Sequence, residues 1–366
     1  MFIPSITLYL NALSNNTRHM RKKIGYIMNI DVGSLEEKTI LLMESIKRFV
    51  ENEPFFIVIK PNLRSLSDTT LKYFLSRDVH FHEVDIGNFF TNNIMMSKIF
   101  IASYAETLYG EAVEYMLLLD NDTLFLNNIE SDLFDMDFLI AIRPTDFSER
   151  SLVSFFDCSS TWRYLIQKFY LKENPKWIYR CIRDNTISYA SVNSGFVLER
   201  SDAKLFYKWK ELADSLNNDK EFTRLINEDS DSLHYLDQVL LSLVLMKRFE
   251  PEDVKVLNIR YNFSLESIVF NHMLLFLDKR WIFKKIPFPI DSFIHIHYHQ
   301  RFNQRRILRY FNEDKHVNLL QLFVPFDIKT NVNKKFFSNL LSELYIVIKF
   351  TEYKLFHKFR SSHESE

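Results

Sequence analysis

Glycine is nearly missing from this chain, with five residues in 366. Because only Gly25, Gly33, Gly87, Gly110 and Gly195 are available, neither a G-x-G-x-x-G dinucleotide fingerprint nor a Walker phosphate loop can be written. Cysteine is scarcer still. Cys158 and Cys181 match no metal-binding spacing and require no disulfide, which suits a reducing compartment. The formal net charge of −1 gives no pull toward nucleic acid or toward an anionic membrane as a whole. No run approaches the roughly 18 apolar residues that span a bilayer. The opening stretch, MFIPSITLYLNAL, has no basic region ahead of its apolar part, so it reads poorly as a secretory signal. The expected location is cytoplasmic.

What the chain has in quantity is hydrophobic surface, at 47% of residues, enough for a substantial core. Lys23–Asp31, Pro54–Lys60 and Val79–Ile86 read as strands, and Leu35–Val50, Ser67–Arg77 and Met96–Tyr109 carry helical spacing between them. This strand–helix alternation predicts an α/β fold with a mainly parallel central sheet. It ends in a fourth strand, the apolar run Tyr115–Leu119, which stops abruptly at Asp120-Asn121-Asp122. Two carboxylates two residues apart on extended backbone point to the same side. At the end of a buried strand that side is the crevice where open α/β sheets bind ligands. Close carboxylates repel, and a hard divalent cation that also holds a diphosphate would compensate them. The competing account is an acidic turn behind a core strand.

Three further stretches carry polar groups where apolar ones are expected. Asn193-Ser194-Gly195 precedes the strand Phe196–Leu198, where a glycine lets backbone approach a ligand and an asparagine offers donor and acceptor. Asp237 stands on the apolar stripe of a helix with Leu233, Leu240, Leu241 and Val244, followed by Gln238; a place in the first turn of that helix is the alternative account. His295, His297 and His299 alternate along one face of a strand, a pattern suited to a divalent ion. Between these, residues 148–185 are aromatic-rich and read as a helical insertion beside the crevice, more an ordinary amphipathic helix than a sugar-stacking platform. Ser201-Asp202 reads as the N-cap of a helix over Ser201–Leu216. Residues 331–360 form an amphipathic basic helix that either docks on its own domain or lies on an anionic membrane.

Taken together, L-L-L-D-N-D-T-L-F (Leu117–Phe125), V-N-S-G-F-V-L (Val192–Leu198), L-D-Q-V-L-L (Leu236–Leu241) and I-H-Y-H (Ile296–His299) resemble the nucleotide-sugar glycosyltransferases of GT-A fold, most of all the retaining family 8 group. The resemblance spans about residues 23–302. It implies a Rossmann-like nucleotide-diphospho-sugar transferase fold, with residues 1–22 as an N-terminal arm and 303–366 as a basic, helical C-terminal tail. It implies that Asp120, Asn121 and Asp122 meet the donor diphosphate, with Asp120, Asp122 and His297 holding Mn²⁺ or Mg²⁺. Asn193, Ser194 and Gly195 would lie along the donor sugar, Asp237 and Gln238 at its reacting face, and Asn29, Ile30 and Asp31 against base and ribose. The implied donor is a nucleoside-diphosphate sugar, UDP favoured. The acceptor would be a glycan, lipid or protein hydroxyl, with no nucleic-acid partner. The chain departs from the family after the first strand, where Asp31-Val32-Gly33 replaces the usual N-Y pair, and after the last histidine, where Gln300-Arg301-Phe302 replaces Gly and K-P-W.

Three rival readings are weaker. A haloacid-dehalogenase-like phosphatase also carries D-x-D after a strand, but with Thr two residues past the second Asp, whereas Thr123 is adjacent to Asp122. A nucleotidyltransferase would want a Gly-rich basic loop after the first strand. An inactive sugar-nucleotide-binding scaffold should have lost some of these polar residues.

Overall fold

The computed structural model describes residues 22–50, 53–61, 65–85, 94–129, 137–146, 151–181, 186–228, 235–264 and 293–297. The expected N-terminal arm, His299 and the C-terminal helix lie outside the described residues. The apolar runs become the strands β1 (Lys22–Asn29), β2 (Phe55–Lys60), β3 (His80–Glu83) and β4 (Val113–Leu119). Between them lie α1 (Ser34–Phe49), α2 (Asp68–Leu75) and α3 (Ile94–Tyr109). Then follow β5 (Thr123–Phe125), β6 (Ile140–Pro144), α4 (Ser160–Phe169), β7 (Ile178–Arg180), β8 (Ile187–Tyr189) and β9 (Val192–Arg200). The remaining elements are α5 (Leu205–Asn217), α6 (Lys220–Glu228), α7 (Leu236–Arg248), β10 (Val254–Val256), β11 (Phe263–Ser264) and β12 (His295–His297).

The main sheet has the order β10-β6-β9-β4-β1-β2-β3. It is mainly parallel, as expected, and β9 alone runs antiparallel to its neighbours β4 and β6. Its strands are apolar on both faces, as a sheet covered by helices on two sides requires. Ile27, Met116, Leu118 and Val197 face a core shared with α3, α5 and α7. Tyr26, Met28, Leu117, Leu119 and Phe196 face the core on the other side, shared with α1 and α2. A small second sheet, β11-β12-β5, joins that second core through Phe125 and Ile294.

Two local expectations need correction. The aromatic insertion is only partly helical: α4 is followed by a β7–β8 ribbon. Trp162, Trp177 and Tyr179 are buried in the core, so they provide no exposed sugar platform. Ser201-Asp202 does not cap a helix. Ser201 Oγ donates to the Val113 carbonyl at 2.9 Å and Asp202 pairs with Arg200, while α5 starts at Leu205 behind Lys204 in left-handed backbone (φ 55°). Its first N–H groups are taken instead by buried carboxylates from elsewhere: Leu205 N–H by Glu199 and Tyr207 N–H by Glu106.

Candidate active site

Strand β4 ends at Leu119, and Asp120-Asn121-Asp122 turns the chain from the large sheet into β5 of the small one. The carboxylates therefore converge across a turn rather than along extended backbone. Two registers place their neighbours. Leu119 lies opposite Phe196 on β9, which brings Gly195 beside Asp120, whose N–H donates to the Gly195 carbonyl at 3.1 Å. Thr123 lies opposite His297 on β12, which brings the imidazole to Asp122, Nε2 to Oδ1 3.0 Å.

Asp120, Asp122 and His297 each offer one ligand atom, and those atoms lie within 4.8 Å of one another. The two carboxylate side chains keep about a fifth of their surface exposed (21% and 22%), so the cluster is open on one side. Burial pushes the His297 pKa down, but the hydrogen bond and charge of Asp122, with Asp120 behind it, outweigh that and hold it above the ordinary value. Two carboxylates and an imidazole form a donor set that fits a Mn²⁺- or Mg²⁺-like ion. His295, on the same strand face, is different. It is fully buried between the rings of Phe125 and Phe196, with neither nitrogen hydrogen-bonded, and burial drives its pKa well below the usual value. Of the alternating histidines, His295 is a packing residue.

Asn121 is turned the other way. Its Nδ2 donates to the Asn29 carbonyl and to Thr39 Oγ1 (2.6 Å), fastening the turn to β1 and α1. Asn29 in turn donates to Ser97 Oγ at 3.2 Å, and its Oδ1 is buried without a partner. Asp31 accepts from Val32 N–H at 2.7 Å. Ile30 buries its side chain in the core and gives its N–H to Ile59, so its side chain faces away from any ligand.

On the other side of Asp120 is a residue the sequence reading missed. Lys98, from α3, sits 2.5 Å from Asp120 Oδ1, 3.3 Å from Asp237 Oδ2 and 3.2 Å from Ser194 Oγ. Ser194 Oγ donates to the same Asp237 oxygen at 2.5 Å. Burial alone would lower the lysine pKa, but the charges of Asp120 and Asp237 reverse the direction and keep it cationic. Asp237 does lie in the first turn of α7, yet it is fully buried, and its Oδ1 has no partner among the described residues. Gln238, beside it, is half-buried, and its backbone carbonyl accepts from Ser242 Oγ. The available signal for Lys98 was its isolation: only Lys98 and Glu106 are charged in the whole of α3.

Gly195 is needed for room. A Cβ there would stand 2.5 Å from Asp120 Oδ2, 3.0 Å from Asn193 Oδ1 and 3.1 Å from Asn262 Nδ2. Nearby, Arg143 on β6 is 1% exposed and pairs with Asp146 through one nitrogen, while its Nε and Nη1 have no partner. It lies opposite Asn193, where the β6–β9 register slips.

A mainly parallel sheet thus gathers an acidic pair, a histidine and the Asp120–Lys98–Asp237 chain where β4 ends and β9 begins. The profile of the Rhodobacterales glycosyltransferase domain matches residues 26–249, more than half of the chain, and the chain belongs to that family. It is a glycosyltransferase. The match includes Lys98, Asp120, Asp122, Asn193–Gly195 and Asp237, whereas Asn262 and His297 lie beyond it. Among solved structures, the galactosyltransferase LgtC in complex with donor and acceptor sugar analogs is similar over 81% of this chain and 95% of that one, at 16% identity and a TM-score of 0.44. Mouse xyloside xylosyltransferase 1, in its apo form, is similar over 76% and 98%, at 14% identity and a TM-score of 0.39. No curated protein matches the chain in sequence.

Proposed function

We propose that the chain transfers a sugar from a nucleoside-diphosphate donor, UDP favoured, to an acceptor hydroxyl, with a divalent cation at Asp120, Asp122 and His297 and with retention at the anomeric carbon. The observation that carries this reading is the convergence of that three-residue donor set with Asp237, Lys98 and Gly195 at one strand end. Retention rests on the family 8 resemblance. The cation, when bound, would neutralise charge developing on the departing diphosphate.

This chain's own residues would do the rest. In the transfer the bond from the sugar's anomeric carbon to the phosphate oxygen breaks, and its electron pair leaves with the diphosphate. The acceptor oxygen bonds to that carbon, and its proton passes to a phosphate oxygen. Asp237 is the group we assign to the oxocarbenium-like sugar: Lys98 and Ser194 hold its Oδ2, which leaves the unpartnered Oδ1 to act as stabiliser or nucleophile. Gly195 permits the close approach of backbone and donor, and Asn193 supplies a hydrogen-bonding amide along the sugar. We also assign Asn29 and Asp31 to the base and ribose, a cytoplasmic location, and a glycan, lipid or protein acceptor.

The test is release of free nucleotide from a panel of UDP- and GDP-sugars, with and without Mn²⁺, beside an Asp120→Ala/Asp122→Ala variant. Metal-dependent release that the variant loses would support the proposal and name the donor. Silence with every donor, and no metal-dependent thermal shift by UDP or GDP, would overturn it.

A further inference from the structure

Asn262 was not among the residues expected at the site, yet it stands against the centre of it. It is fully buried and adopts left-handed backbone (φ 47°) just ahead of β11, which pairs with the strand bearing His297. Asparagine adopts that conformation more readily than most residues, and a neighbouring group fixes its side chain. The neighbouring group here is Asn193. Asn262 Nδ2 donates to Asn193 Oδ1 at 2.8 Å, and the Gly195 N–H donates to the same oxygen at 2.7 Å. A backbone N–H can only donate, so the inner atom of the Asn193 amide must be its oxygen, and two donors saturate it. Asn193 is half-buried, and its Nδ2 is the side-chain atom that those two bonds leave over.

We propose that Asn262 is a positioning residue whose donated hydrogen bond fixes the Asn193 amide so that its NH₂ reads an oxygen acceptor, a hydroxyl or ring oxygen, on the donor sugar. Asn262 Oδ1 is itself buried and has no partner among the described residues. This inference rests on the nucleotide-sugar reading of the site. It predicts that Asn262 affects binding of the sugar and leaves binding of the nucleotide alone unchanged.

Two substitutions separate the backbone from the hydrogen bond. Asn262→Gly keeps the left-handed conformation without strain and removes the amide. Asn262→Asp keeps size and shape but sets a carboxylate against Asn193 Oδ1, which drives the Asn193 amide to flip. Calorimetry in Mn²⁺ with UDP, GDP and the matching sugar nucleotides should show native affinity for the nucleotide in both variants. Affinity for the sugar nucleotide should fall about tenfold in Asn262→Gly and further in Asn262→Asp, the size expected for one lost or inverted hydrogen bond. A second, ligand-free readout is the Asn193 side-chain NH₂ pair by NMR, sharp and slowly exchanging in the native protein and averaged in Asn262→Gly. Native sugar-nucleotide affinity in Asn262→Gly, or an unchanged Asn193 amide signal, overturns the proposal. Failure of the native protein to bind any nucleotide would instead sink the nucleotide-sugar reading of the site, and the NMR result would still decide what Asn262 does.

Discussion

Helix α3 and strand β9 meet twice through buried charge, and the two meetings differ. At one end Lys98 reaches Asp120, Asp237 and Ser194. At the other end Glu106 and Glu199 lie together at the start of α5. The second cluster is closed to solvent, with Glu106 and Glu199 both buried, and Glu106 Oε1 and Glu199 Oε1 have no hydrogen-bond partner among the described residues. Its carboxyl groups take the N–H groups that open α5, where the helix dipole favours negative charge. Burial first, then the facing Glu106 charge, pushes the Glu199 pKa well above its ordinary value. The first cluster is open: it keeps Asp120 partly exposed, and Asp237 Oδ1 has no partner among the described residues. A buried carboxylate oxygen left unpartnered costs stability unless something else meets it. The same two elements thus carry one cluster closed off inside the protein and one that reaches the surface through Asp120.

The largest effect should come from crowding the open cluster. Gly195→Ala puts a methyl group 2.5 Å from Asp120 Oδ2 and must displace the carboxylate. Transfer activity should fall about a hundredfold, the usual cost of a displacement near 1 Å in a catalytic group, with the circular dichroism spectrum unchanged. Near-native turnover would mean that Asp120 need not hold its place.

Removing the cation between the carboxylates tests the open cluster differently. Lys98→Met leaves fully buried Asp237 and partly exposed Asp120 without their shared partner and should destabilise the metal-free protein by about 3 kcal/mol. Mn²⁺ should then raise the melting temperature more in the variant than in the native chain, because an added cation compensates Asp120 again. Equal shifts would break the link between Lys98 and the proposed metal ligands.

The closed cluster should answer to pH. A carboxyl whose folded pKa lies above its unfolded one binds its proton more tightly when folded, so its contribution is full below the ordinary carboxylate range. That contribution is lost as pH rises through the elevated folded value. Thermal melts between about pH 5 and about pH 9 should show native stability falling, and Glu199→Gln, a neutral mimic, should flatten that slope. A slope identical in the variant would show that Glu199 does not hold the proton. The smallest effect belongs to the exposed Lys176–Glu252 pair: Lys176→Ala should leave the melting temperature unchanged, since solvent screens such pairs.

Much of this was legible in the chain itself. Strand β4 declares itself as a continuous apolar run, and the strand–helix alternation dictates a mainly parallel sheet around it. Asp120, Asp122, Asn193, Gly195, Asp237 and His297 stand out because each interrupts an apolar pattern or sits at a strand end. Other features depend on register between distant strands and leave no local trace. Asn262 meets Asn193 across 69 positions, and Arg143 lies opposite Asn193 only because β6 and β9 slip. The α5 cap was misread for a similar reason: Ser201-Asp202 has the right local chemistry, but Glu106 and Glu199, one of them nearly a hundred residues away in sequence, take the N–H groups first. Lys98 and Glu106 were within reach of a simpler rule, since two lone charges in an otherwise apolar helix must each meet a partner.

The most direct measurement is Mn²⁺ binding by electron paramagnetic resonance on the native chain, His297→Ala and His295→Ala, with and without UDP. The account predicts saturable binding that UDP tightens, lost in His297→Ala and retained in His295→Ala wherever that packing variant stays folded. Equal binding by native protein and His297→Ala, or no binding by either, would contradict the assignment of Asp120, Asp122 and His297 as the metal site.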